Sequence, residues 1–171
     1  NWSYVFAGQT NVPIVIRAVI NRRGEQGAQH SQALHAMFAH IPGLKVVTPS
    51  TAYDAKGLLI AASRDGNPVM YIDDRCLYDD VGDVPEEMYE VPIGKAAIRR
   101  AGSDVTIVGI SEMAAKLDNM QEQFVAAGID AEIIDLRSIK PWDKECVLTS
   151  VEKTGRLVVV DGAWKTCSVA A

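Results

Sequence analysis

Basic charge is in short supply: 17 Lys and Arg stand against 22 Asp and Glu, giving a net charge of −5. A general nucleic-acid binder would be basic, so that class is excluded. Long apolar runs are missing too. None approaches the roughly 18 residues a membrane-crossing helix needs, so no membrane partner is expected. The opening Asn1-Trp2-Ser3-Tyr4 has no basic region leading into an apolar stretch, so no signal peptide is expected. The first residue is not Met, which fits a processed or trimmed chain. Cysteine is sparse and scattered. Cys76, Cys146 and Cys167 form no CxxC pair and no metal-ligand cluster, and read as buried or half-buried thiols of a reducing compartment. GxGxxG, Walker A and GxSxG motifs are all absent, which removes the dinucleotide, P-loop and serine-hydrolase signatures.

What is present is an ordinary globular mixture, 48% hydrophobic and 23% charged, in 171 residues. Residues 12–20 are almost continuously apolar and β-branched, the pattern of a strand buried on both faces. Residues 30–41 place Ala33, Leu34, Met37, Phe38 and Ile41 at helical spacing, and Pro42-Gly43 stops the run. Residues 44–48 read as a strand, and 52–63 as a helix entered through Pro49-Ser50-Thr51, with Ala55, Leu58, Leu59 and Ala62 inward. A turn at Asp65-Gly66-Asn67 leads to a strand over 68–72.

Acidic residues then concentrate between 74 and 92, the pattern of a solvated linker and a domain boundary. A second series follows. Strands are expected over 104–110, 131–136 and 156–160. Helices are expected over 111–127, with Ser111 as cap and Gly128 as stop, and over 142–151, with Asp143 at its positive end. The alternation predicts an α/β fold of two parallel-sheet units. Their expected boundaries are 1–75 and 93–171, joined by an acidic linker over 76–92.

Parallel sheets collect ligands at the carboxyl ends of their strands. The loop from Asn21 to Gln32 lies at such an end and carries two arginines, Glu25, two glycines and His30. A neutral imidazole there could move a proton near pH 7, or it could simply cap or hydrogen-bond. Composition leaves both open. His30, His35 and His40 recur every five residues, a step of about 140° on a helix, so they do not share a face and a three-histidine metal site is not expected. Asp73 and Asp74 are neighbours on a strand and should point to opposite faces.

The words of the chain carry more. In order stand Gly24-Glu-Gln-Gly-Ala-Gln-His-Ser-Gln32, Ile41-Pro-Gly-Leu-Lys-Val-Val-Thr-Pro-Ser50, Asp54-Ala-Lys-Gly-Leu58, Asp65-Gly-Asn-Pro-Val69 and Asp74-Arg-Cys-Leu-Tyr78. Val91-Pro-Ile-Gly-Lys-Ala96, Ser103-Asp-Val-Thr-Ile107 and Ile134-Asp-Leu-Arg-Ser-Ile-Lys-Pro-Trp-Asp143 follow. This ordered set resembles the beta subunits of the E1 components of pyruvate and branched-chain 2-oxo acid dehydrogenases, and is similar to acetoin dehydrogenase. Transketolase and deoxyxylulose-phosphate synthase are broader relatives sharing the Gly-acidic-x-Gly-x-x-His pattern that ends at His30.

The resemblance implies a subunit of a thiamine-diphosphate enzyme that decarboxylates a 2-oxo acid and passes the acyl group to a lipoyl arm. It implies the latter part of a pyrimidine-binding domain followed by the front of a transketolase C-terminal domain. It gives His30 a role in proton transfer or intermediate binding, and implies a potassium site on the backbone carbonyls of Ile14, Ala62, Asp65 and Asn67. An alpha subunit holding the diphosphate and magnesium, a second beta subunit and a lipoyl-bearing E2 are the implied partners, in a heterotetramer. The family's activating glutamate precedes this segment, so the fragment alone is expected to be inactive and to bind cofactor poorly. Asn21-Arg22-Arg23 departs from the family's Gly- and Asn-containing stretch, which leaves the substrate open. Bacterial cytoplasm or mitochondrial matrix is the expected location. The alternatives are a split transketolase-like enzyme and a non-catalytic interaction subunit.

Overall fold

The computed structural model describes residues 2–21 and 27–171. A single helical turn, α1 (Trp2–Val5), precedes strand β1 (Val15–Ile20), helix α2 (His35–Ala39), β2 (Lys45–Val47), α3 (Ala52–Arg64) and β3 (Val69–Asp74). The second half contributes β4 (Ala97–Arg100), β5 (Val105–Gly109), α4 (Glu112–Asn119), α5 (Gln121–Ala126), β6 (Ala131–Asp135), β7 (Ser138–Lys140), α6 (Lys144–Thr154) and β8 (Leu157–Val160).

Two four-stranded sheets result, ordered β1-β3-β2-β7 and β4-β6-β5-β8. The β1–β3, β2–β3, β5–β6 and β5–β8 pairs are parallel, as expected of βα units. Each sheet also holds an antiparallel strand that the sequence did not announce, β7 against β2 and β4 against β6. Both are short, three and four residues, too short to show a period. β7 belongs to the second half of the chain yet completes the first sheet, aligning Ser138 with Val47 and Lys140 with Val46. One core cluster accordingly spans both sheets, packing Ile20, Val46, Met70 and Ile72 with Val108, Ile134, Leu136 and Ile139.

Several expectations are corrected. The apolar run 12–20 forms a strand only from Val15, and only Ile20 within it is buried. It is an edge strand here, paired on one side alone, so Ile16 and Val19 remain 44% and 40% exposed. The helix expected from His30 begins only at His35. Ser31 Oγ donates to the carbonyls of Asn21 (2.7 Å) and Gly27 (3.0 Å), a local bond that competes with helix formation. The helix expected over 111–127 is interrupted at Met120. Ser111 supplies no side-chain cap. Its hydroxyl donates to the Pro49 carbonyl at 3.2 Å, tying the second half to the first. Leu59 is 44% exposed, and α3 instead buries Asp54, Gly57, Leu58, Ala61 and Ala62. Asp143 does cap its helix, accepting from the Cys146 N–H.

The acidic stretch after β3 lies along α3. Lys56 Nζ donates to the carbonyls of Pro85, Glu86 and Glu87, Tyr89 stacks on Tyr53 with centroids 4.4 Å apart, and Val91 is 3% exposed. Gly57 makes this close approach possible: a Cβ there would come within 2.5 Å of Val91 Cγ2.

Candidate active-site cavity

The carboxyl end of β1 opens into a cavity of about 280 Å³. Ile20, Asn21, His30, Leu34, Phe38 and Ile72 line it. His30 closes a 3-10 turn, Ala28–His30, and its main chain is pinned on both sides: its N–H donates to the Gly27 carbonyl (3.2 Å) and its carbonyl accepts from the Asn21 N–H (3.1 Å). The imidazole is exposed rather than packed in the interior. It stands at the end of a three-residue turn, ahead of α2, which begins only at His35. Glu25, Arg22 and Arg23, expected to shape the same loop, lie outside the described residues. The cavity combines an apolar wall with four polar side chains, Asn21, Gln29, His30 and Gln32, a mixture that suits a flat heteroaromatic ring carrying a few polar atoms. It fits the ring end of thiamine diphosphate. For the diphosphate end the sequence offers no GDG motif.

The carbonyls of Ile14, Ala62, Asp65 and Asn67 come from segments that meet at the other end of β1. The Ile14 carbonyl accepts from the Val69 N–H (3.0 Å), the Ala62 carbonyl from the Asp65 N–H (3.3 Å), and Val12 N–H donates to Gly66 (3.0 Å). The Asp65 carboxylate is engaged already, by Lys45 Nζ and by the Asn67 N–H at 2.9 Å. At 3.3 Å per residue, this end lies roughly 20 Å from His30.

Of the three histidines, His30 and His40 are exposed, whereas His35 is buried at 2%. His35 Nε2 lies 3.1 Å from Asp161, which follows β8. Sequence reading missed this pair because its members are 126 positions apart. Asp73 and Asp74 diverge as expected. Asp73 pairs with Arg17 at 2.6 Å, while Asp74, buried, accepts from the Cys76 N–H at 3.0 Å. Asp74, Cys76 and Glu112 bring their ligand atoms within 4.8 Å of one another. Burial and the two carboxylates push the Cys76 thiol up to about 11, so the thiol keeps its proton among them. Cys76 and Cys146 are half-buried, but Cys167 is exposed, contrary to the expectation for all three. Among the described helices, none is long and apolar enough to cross a membrane.

Two family models match: transketolase, pyrimidine binding domain, over residues 2–79, and transketolase, C-terminal domain, over residues 94–171. The beta subunit of acetoin:2,6-dichlorophenolindophenol oxidoreductase of Cupriavidus necator is 49% identical over 167 residues, 98% of this chain and 49% of that one. Its counterpart in Bacillus subtilis is 44% identical over the same shares. The pyruvate dehydrogenase E1 component subunit beta of Acholeplasma laidlawii is 46% identical, over 96% of this chain and 50% of that one. The chain thus spans about half the length of the curated relatives it matches. A solved split-gene transketolase, an inactive beta4 tetramer, superposes with a TM-score of 0.76 at 26% identity, covering 90% of this chain and 49% of that one.

Proposed function

Because the chain belongs to the transketolase family and resembles its E1 beta subunits, we propose that it is part of a beta subunit of a 2-oxo acid or acetoin dehydrogenase. The observation that carries this is the exposed His30 imidazole in a half-apolar cavity at the carboxyl end of β1. Thiamine diphosphate, when bound, supplies the carbanion chemistry. In the proposed assembly this chain's residues do three things. Ile20, Leu34, Phe38 and Ile72 exclude water from one side of the ring. Asn21 and the backbone bonds of residues 27–31 hold the loop. His30 gives or takes a proton at an imidazole nitrogen. The diphosphate and its magnesium are left to an alpha partner, in a heterotetramer with a second beta subunit that hands acyl groups to a lipoyl-bearing E2. A cytoplasmic or mitochondrial-matrix location accompanies that role.

The carbonyls of Ile14, Ala62, Asp65 and Asn67 are proposed as a structural potassium site. With the Asp65 carboxylate neutralised by Lys45, these oxygens offer dipoles rather than net charge, which suits a monovalent hard cation. Its distance from His30 gives it a stabilising rather than chemical role. The proposed division is residues 1–75, a connecting stretch over 76–92, and 93–171.

A split transketolase is the second reading, favoured by the superposition with one. Turnover separates the two. The full-length subunit, co-expressed with its alpha partner, should reduce dichlorophenolindophenol with a 2-oxo acid or acetoin, and only with thiamine diphosphate present. Ketose-to-aldose transfer without dye reduction would select the transketolase reading. No turnover of either kind would sink both.

A further inference from the structure

We propose that His35 and Asp161 are positioning residues that let the second half of the chain set the shape of the His30 cavity. The inference rests on the assignment of His30 above.

α2 supplies two of the cavity's walls, Leu34 at its start and Phe38 within it. Yet the only fully buried residue of α2 is a polar one, His35. Five-residue helices have no stability of their own, so what anchors α2 fixes those walls. The anchor is Asp161. Its side chain is 1% exposed and that of His35 is 3% exposed. Asp161 is itself held rigidly, accepting from the N–H groups of Ala163 and Val169 at 3.0 Å each. Its carboxyl lies below the usual carboxylate range: burial pushes it up, but the His35 hydrogen bond and the two backbone donors outweigh that. His35 Nδ1 is buried with no hydrogen-bond partner among the described residues, so Asp161 is the polar group that orients the ring. His30 sits five positions upstream on a turn whose bonds, among the described residues, run only to Asn21 and its own neighbours. Losing the pair would free α2 to shift against β2 and β7, and Leu34 and Phe38 with it. Misplacement by an ångström at a reacting group costs about 100-fold in rate.

The test uses the full-length subunit assembled with its partner. Asp161→Asn and His35→Leu should each lower kcat by about 10- to 100-fold with KM little changed. His35→Gln, which keeps a donor toward Asp161, should recover most of the loss. In a His30→Gln background each change should lower kcat by less than it does alone, because part of the pair's effect reaches the chemistry through His30. Amide exchange over residues 27–38 should quicken in Asp161→Asn while β5 and α6 keep their protection. Full additivity with His30→Gln, or unchanged exchange over 27–38, overturns the proposal. A His30→Gln enzyme with normal turnover sinks the His30 assignment instead, and the exchange measurement still decides whether the pair holds α2.

Discussion

Arg99 Nη2, on β4, lies 2.9 Å from the carboxylate of Asp54, which sits in the first turn of α3 and is 0% exposed. The same guanidinium lies 2.9 Å from Asp135 at the end of β6 and donates to Ser50 Oγ at 3.0 Å. Arg137 adds a second cation, 2.8 Å from Asp54. Burial pushes the Asp135 carboxyl up, and the Ser50 and Arg99 contacts pull against it without prevailing. Two carboxylates and two guanidinium groups thus join the two sheets through charges removed from water.

Such a clasp is costly to break from one side. Arg99→Leu leaves Asp54 and Asp135 buried with half their compensation. The expected loss is about 3–5 kcal/mol, read as a lower urea midpoint with unchanged slope. A loss under about 1 kcal/mol would show that the network contributes little.

The thiols should differ in reactivity by position. Cys76 is pushed up to about 11 by burial and the carboxylates of Asp74 and Glu112, and Cys146 is raised mainly by burial. Alkylation proceeds through the thiolate. Iodoacetamide at pH 8, followed by mass spectrometry, should therefore label the exposed Cys167 first. Cys76 should resist until the protein unfolds. Early labelling of Cys76 would contradict the packing described.

Asp161 gives a pH signature. Its carboxyl lies below its unfolded value because the His35 contact and backbone donors outweigh burial. A group with a depressed folded pKa stabilises above its unfolded value, roughly 3.9, and loses that contribution as pH falls through the folded value. The stability difference between wild type and Asp161→Asn should stay level from about pH 7 to about pH 5 and narrow below about pH 4. Urea titrations across that range check it, and a gap that widens on acidification contradicts it.

The parts of this fold visible in sequence are those dictated by local periodicity. β5 and β6 read as buried strands because Val105, Ile107, Ile133 and Ile134 follow one another between turn residues. α6 was marked by Asp143 at its start. What stayed hidden depends on partners distant in sequence. β7 is a strand because β2 offers it an edge. Asp54 looks like a surface helix residue until Arg99 and Arg137 arrive from 45 and 83 positions away. β1 carries an apolar pattern suited to burial on both faces, but neighbours on one side only. At the candidate site the family words singled out His30. Nothing local distinguished His35, whose meaning depends on Asp161.

His30 is proposed to move a proton in a cavity that would hold the ring end of thiamine diphosphate. The most direct test of this role is kcat for thiamine-dependent dye reduction with a 2-oxo acid, comparing wild type and His30→Gln in the full-length assembly. A general acid–base role is worth about 10²- to 10⁴-fold, so His30→Gln should fall by that much while still assembling with its partner. Equal turnover by the two proteins would contradict the account.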